Sequence, residues 1–124
     1  MSNKHILYAS LAFSAFVIGL HMIAHTFYLY WIYRWVDIPM HILGGVMAGF
    51  YSALALRVFG YKEKVVLILI GVVIVGIAWE LLELYFKVDT LNFRYWIDTT
   101  KDLVNDTIGG IIAIYIWRKI PNRN

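Results

Sequence analysis

The chain has 124 residues, of which 61% are hydrophobic, 17% aromatic and only 15% charged, with a formal net charge of +3 and no cysteine. Apolar surface on this scale, gathered in long uninterrupted runs, cannot be hidden in one small water-soluble core, so the composition implies an integral membrane protein. The missing cysteines exclude disulfides, thiolate metal sites and cysteine nucleophiles, and the basic excess flanks apolar runs, which reads as membrane topology and not as nucleic-acid affinity.

In chain order, Lys4 precedes a first apolar run over about residues 6–24. The run exceeds the apolar core of a signal peptide and is expected to be a retained helix. "HTFYLYWIYRW" then reads as an aromatic-rich segment of the membrane interface. A second span, about 38–56, is opened by Asp37 and Pro39, a pairing suited to a helix start, with Asp37 a candidate N-cap. After the basic turn "RVFGYKEK" comes a third span over about 65–86, and "KVDTLNFRYW" forms a polar-aromatic loop. The fourth must end near Trp117. A crossing takes roughly 20 residues at about 1.5 Å each, so it begins near Asp98 and draws Asp102 and Asp106 to membrane depth. A short helix stopping part-way, or a locally thinned bilayer, is the alternative.

The expected fold is therefore all-α: a four-helix transmembrane bundle, one integral membrane domain over residues 1–124. The cytoplasmic side is expected to hold Lys4, Arg57, Lys62, Lys64, Arg118, Lys119 and Arg123, against Arg34, Lys87, Arg94 and Lys101 outside. This bias puts both termini in the cytoplasm and the protein in the plasma membrane.

Alternating helix direction has a consequence for the ionisable residues. His21 and His25 come late in the first span, Asp37 and His41 early in the second, Glu80 and Glu83 late in the third, and Asp98, Asp102 and Asp106 early in the fourth. All nine then lie towards one side of the bilayer, whichever way the protein faces. The i,i+4 pairs (His21/His25, Asp37/His41, Asp98/Asp102/Asp106) and the i,i+3 pair Glu80/Glu83 each share a helical face. A charge facing lipid costs at least ~2.5–3.5 kcal/mol, so these faces should turn towards one another. Gly45, Gly49 and Gly110 would let the helices approach closely.

With the basic residues assigned to loops and span ends, nothing inside the spans balances the acids. Two compensations remain: a bound cation, or protons held by the carboxylates. Carboxylate with imidazole is the ligand set of Zn²⁺, Mn²⁺ or Fe²⁺, and fewer histidines would suit Mg²⁺ or Ca²⁺. The expected cofactor is a divalent metal ion of unspecified identity, held by Glu80, Glu83, Asp102, Asp106 and His41. Asp37, Asp98, His21 and His25 are secondary candidates. Plainer roles compete: Asp98 as an exposed aspartate favoured by a helix start, Asp37 as a cap, His21 and His25 as structural, the tyrosines and tryptophans as an interfacial belt.

The blocks "VDIPMHILGGVMAGF", "GIAWELLELYF" and "WIDTTKDLVNDTIGGIIA" resemble those of the YjdF-like small integral membrane proteins, distantly similar to VanZ-like proteins. The resemblance covers about residues 37–113. It implies that Asp37, His41, Glu80, Glu83, Asp98, Asp102 and Asp106 form the polar signature, and it points to the cell envelope; His21 and His25 fall outside it.

Three functions follow. The first is metal binding near the outer leaflet, with hydrolysis or modification of a lipid-linked envelope substrate by an activated water. The second is proton or cation translocation through the same acids. The third is a small structural subunit, either in a homo-oligomer or beside a membrane-complex partner. Against translocation, the inner half of every span lacks acid, histidine and base; against a purely structural network, so many unpaired acids are a costly way to specify packing.

Overall fold

A computed structural model describes residues 2–86 and 93–121. Among these residues the chain is all-helical: α1 (Asn3–Thr26), a short α2 (Leu29–Ile32), a 3-10 turn (Arg34–Val36), α3 (Asp37–Val58), α4 (Val65–Tyr85) and α5 (Phe93–Trp117). The segments Asn3–Thr26, Arg34–Val58 and Val65–Tyr85 are long and apolar enough to cross a membrane. With 25 residues, α5 matches them in length. What sets it apart is its first half, where acids replace apolar residues. The protein is a helical membrane protein, and its outward faces carry the belt that lipid requires, with Phe16, Ile18, Val66, Ile74, Leu81 and Ile111 all exposed.

The helix boundaries follow from local chemistry. Ser2 caps α1, its hydroxyl accepting from the His5 amide. At the far end the chain reverses through Tyr28, whose φ of 56° is left-handed. The segment expected to lie at the interface is thus partly helical, as α2. Asp37 is the first helical residue of α3 and makes no capping bond, since the capping position is Val36 in a helical conformation. Asp37 is therefore freed from the role of cap. Pro39 falls in the first turn, where its missing N–H removes no intrahelical bond. At the other end of α3, Gly60 takes φ 75° while Tyr61 N–H donates to Leu56 O at 2.8 Å and Gly60 N–H to Arg57 O at 3.1 Å. This is the Schellman closure that only a residue tolerant of positive φ makes without strain.

The expected polar-aromatic loop falls partly on residues 87–92, outside the described residues. Its last residues, Arg94, Tyr95 and Trp96, instead lie within α5, which begins at Phe93, five residues before the expected start at Asp98. Asp98 is consequently in the second turn of a helix and not at its cap.

Helix α3 touches α1, α4 and α5, and α5 also packs on α4. Glycine sets the tightest seam. A Cβ on Gly45 would fall onto the backbone carbonyl of Asp106, one on Gly109 onto the carbonyl of Ile42, and one on Gly49 2.6 Å from Ala113 Cβ. Gly110, expected to continue the aspartate stripe, also faces α4, where its Cβ would meet Val72 at 2.9 Å. Lipid supplies no hydrophobic drive between helices, so such backbone approach is how α3 and α5 gain packing energy. Ser14 back-bonds to Ser10 O at 2.8 Å and pairs with Tyr51 OH at 2.9 Å, joining α1 to α3.

The two ends of the bundle differ. Ile6, Ala53, Leu54, Ile68, Ile114 and Trp117 form one buried apolar cluster, which brings together the start of α1, the end of α3, the start of α4 and the end of α5. The helices therefore alternate in direction. At the opposite end the buried residues include the polar side chains of His41, Glu80, Asp102, Asn105 and Asp106, beside Tyr95 and Ala24.

Candidate functional site: a histidine held among aspartates

The site is built on the α3–α5 seam. Asp37 and His41 occupy one face of the first turns of α3, and Asp98, Asp102 and Asp106 one face of the first half of α5. Because Gly45 and Gly109 bring the two backbones together one turn away, the imidazole of His41 lies directly among the aspartates. Its Nδ1 is 3.1 Å from Asp106 Oδ1. Its Nε2 is 3.5 Å from Asp37 Oδ1 and 3.7 Å from Asp102 Oδ2. Asp106 also reaches α4, where a Cβ on Gly76 would stand 2.6 Å from its Oδ2.

The two sets of distances differ in kind. The Nδ1–Asp106 separation is a hydrogen bond, whereas 3.5 and 3.7 Å exceed the ordinary range of about 2.7–3.2 Å. Of these two, the first falls within, and the second just beyond, the spacing between donor atoms around an ion: bonds of about 2.0–2.2 Å in tetrahedral geometry set neighbouring ligands roughly 3.3–3.6 Å apart. One atom from each of Asp37, His41 and Asp102 lies within 4.8 Å of the others. A ring nitrogen facing a ligand set while the second bonds a carboxylate is how metal-binding histidines are commonly oriented.

Lys101 completes the cluster. Its Nζ is 2.7 Å from Asp98 Oδ1, 3.5 Å from Asp37 Oδ2 and 3.7 Å from Asp102 Oδ1. Asp37 and Asp102 thus present one oxygen to His41 and the other to Lys101. The expectation that no basic residue balances these acids is corrected here. Four aspartates meet one ammonium and one imidazole, and the long lysine stem lets the charge reach back from the more exposed side of α5. The signal was available, since Lys101 stands three residues after Asp98 on a helix, a spacing that pairs charges.

The remaining candidates are arranged differently. Glu80 is buried and its Oε2 accepts from Thr99 Oγ1 at 2.7 Å, while its Oε1 has no partner among the described residues. Glu83 accepts from Trp79 Nε1 on its own helix at 3.0 Å. Neither glutamate joins the group of three, whereas Asp37, a secondary candidate, does. Asp98 is exposed and pairs with Lys101. His21 bonds Tyr30 OH at 2.7 Å and meets the Trp79 ring edge-on, with centroids 5.5 Å apart. His25 is exposed, its ring 5.6 Å from that of Trp31. Both histidines belong to an aromatic patch at the same end, outside the aspartate cluster. Burial, helped by the carboxylates of Asp37 and Glu83, pushes the Tyr30 phenol up to about 12, so it remains a protonated partner for His21.

Access is one-sided. The side chains of His41 and Asp102 are 8% and 7% exposed, against 29% for Asp37 and 42% for Lys101. The cluster therefore opens at the end of the bundle, past Asp37 and Lys101, and is closed inward by Asp106 and the glycine seam.

A family model described as Predicted membrane protein (DUF2238) matches residues 2–123. No curated protein and no solved structure matches the chain.

Proposed function

We propose that this chain, which belongs to the DUF2238 family of predicted membrane proteins, binds one divalent cation through Asp37, His41 and Asp102. The observation that carries this reading is the trio of donor atoms at 3.5 and 3.7 Å around His41 Nε2, with Nδ1 anchored to Asp106. Two carboxylates and an imidazole suit Zn²⁺, Mn²⁺ or Fe²⁺. Three protein ligands leave a position for water or a substrate oxygen, as catalytic zinc sites do. Asp106 is then the orienting partner of His41, and Lys101 the charge beside the open face.

The finer reading extends the same site. With both termini in the cytoplasm the cluster lies near the outer leaflet, where a cation-activated water would hydrolyse or modify a lipid-linked envelope substrate. Lys101 is suited to hold an anionic group of that substrate. The likeness to YjdF-like and distantly VanZ-like proteins supports the envelope as its setting. Glu80, with one oxygen unpartnered among the described residues, is a reserve carboxylate on α4.

Elemental analysis of protein purified without chelators tests the cation. One divalent ion per chain is expected, lost in His41→Ala and in Asp102→Asn and kept in Glu83→Gln. A metal-free parent protein removes the reading. A second reading has its own observation: both ring nitrogens of His41 face carboxylates, which also describes an imidazolium shared among acids in a proton path. Metal-free protein whose proton flux in vesicles disappears in Asp106→Asn would move the assignment there.

A further inference from the structure

The apolar end of the bundle holds a cavity of about 400 Å³ walled by Arg57, Glu63, Trp117, Arg118 and Lys119 among others. We infer that this cavity binds a phosphate group, and that the phosphate is carried by the headgroup of an anionic lipid.

Three cations line the cavity against one carboxylate. Glu63 is already engaged by Arg57 Nε at 2.5 Å. The Arg57 guanidinium also lies 4.3 Å over the Trp117 ring, so it is held in place by stacking while most of its five N–H donors have no partner among the described residues. Arg118 has no side-chain partner among the described residues, and Lys119 reaches only the hydroxyl and ring of Tyr115.

A second observation is independent of charge. Trp117 is 5% exposed, yet its indole Nε1 has no hydrogen-bond partner among the described residues. A buried N–H left unpaired is costly and uncommon, and because Trp117 lines the cavity, a small opening of its wall would let an acceptor oxygen of a ligand reach the indole. A rigid arginine fork, an indole N–H and a further free guanidinium are donors that suit the several oxygens of one phosphate.

The source follows from position. The cavity lies where α3 and α5 end and α4 begins, beside Lys62 and Lys64, at the level of headgroups for helices that cross a bilayer. A basic surface there concentrates anionic lipid. The inference does not rest on the cation site at the other end.

The full-length protein in detergent, melted with added phosphatidylglycerol, phosphatidylcholine or inorganic phosphate, tests it. Phosphatidylglycerol should raise the melting temperature and phosphatidylcholine should not. Arg118→Ala, an exposed change that leaves the fold intact, should weaken the phosphatidylglycerol response about tenfold in half-saturating concentration. Trp117→Phe keeps the ring under Arg57 but removes the donor. It should leave the lipid-free melting temperature little changed and still weaken the response several-fold. Inorganic phosphate producing the same variant-sensitive response keeps the phosphate site but overturns the lipid source. If Lys62→Ala, on the same surface but outside the cavity, weakens the response as much as Arg118→Ala, only a diffuse positive surface exists and the site is overturned. The same follows if phosphatidylcholine acts as well as phosphatidylglycerol.

Discussion

The two ends of this bundle are built from the same four long helices by opposite means. One end is closed by Ile6, Ala53, Leu54, Ile68, Ile114 and Trp117, held by apolar packing with the Arg57 guanidinium stacked on Trp117. The other buries His41, Glu80, Asp102 and Asp106, groups that each cost energy to remove from water. Between the ends runs the glycine seam of α3 and α5. Apolar packing tolerates small changes because no charge is left behind, whereas a charge network fails as a unit. Function is therefore sought at the costly end, and stability at the cheap end and along the seam.

The largest effect should come from breaking the polar end at its centre. His41→Ala leaves Asp37, Asp102 and Asp106 facing one another with only Lys101 to compensate, and loss of one partner of a buried pair costs about 3–5 kcal/mol. Denaturation in detergent would show it as the steepest loss among single variants; a stability near that of the parent would mean that the aspartates are already neutral.

Along the seam, Gly45→Ala forces a methyl group onto the Asp106 backbone carbonyl, which no rotamer change relieves. Overpacking of this kind costs about 1–3 kcal/mol. Here it should also reduce cation content, because α5 must move away from His41. Stability lost with metal content unchanged would separate the seam from the site.

A smaller change at the apolar end sharpens the contrast. Ile68 is 1% exposed, and Ile68→Val should cost about 0.5–1.5 kcal/mol while leaving cation content untouched. Parallel melting and elemental analysis check both halves of that expectation.

The smallest effect concerns pH. The Tyr30 phenol is raised from its ordinary value of 10.0 to about 12, first by burial. The unfolded chain therefore loses that proton before the folded one does. The contribution is whole below pH 10 and declines as pH rises towards 12. Compared with the parent, Tyr30→Phe should flatten the stability profile in that window and nowhere else. Identical profiles for parent and variant would show that Tyr30 is not buried against His21.

Much of this architecture was legible in the amino-acid order. Run length and alternating direction brought the histidines and acids to one end, and i,i+4 spacing put Asp37 with His41 and Asp102 with Asp106. Gly45 and Gly49 marked the close approach. Rotation of one helix about its axis against another was not legible, because a spacing of three or four names a face without saying what meets it. Spacing and depth alone therefore group Glu80 and Glu83 with the aspartates. In the bundle Glu80 turns to Thr99 and Glu83 to Trp79. Sequence position alone puts Lys101 at the edge of its span, because what a lysine stem reaches depends on the helix that stands across from it.

The sequence by itself determined the solvent, the helices and the end of the bundle where charge collects, because these depend on composition and on periodicities local to the chain. Only the tertiary structure decided that His41 turns one nitrogen to Asp106 and the other to Asp37 and Asp102. It also decided that Lys101 shares those carboxylates and that Trp117 has a donor unanswered among the described residues. Contacts between residues sixty-five positions apart, such as His41 and Asp106, are set by which backbones lack a Cβ where they cross. That is a property of two helices in register, and no single stretch of sequence contains it.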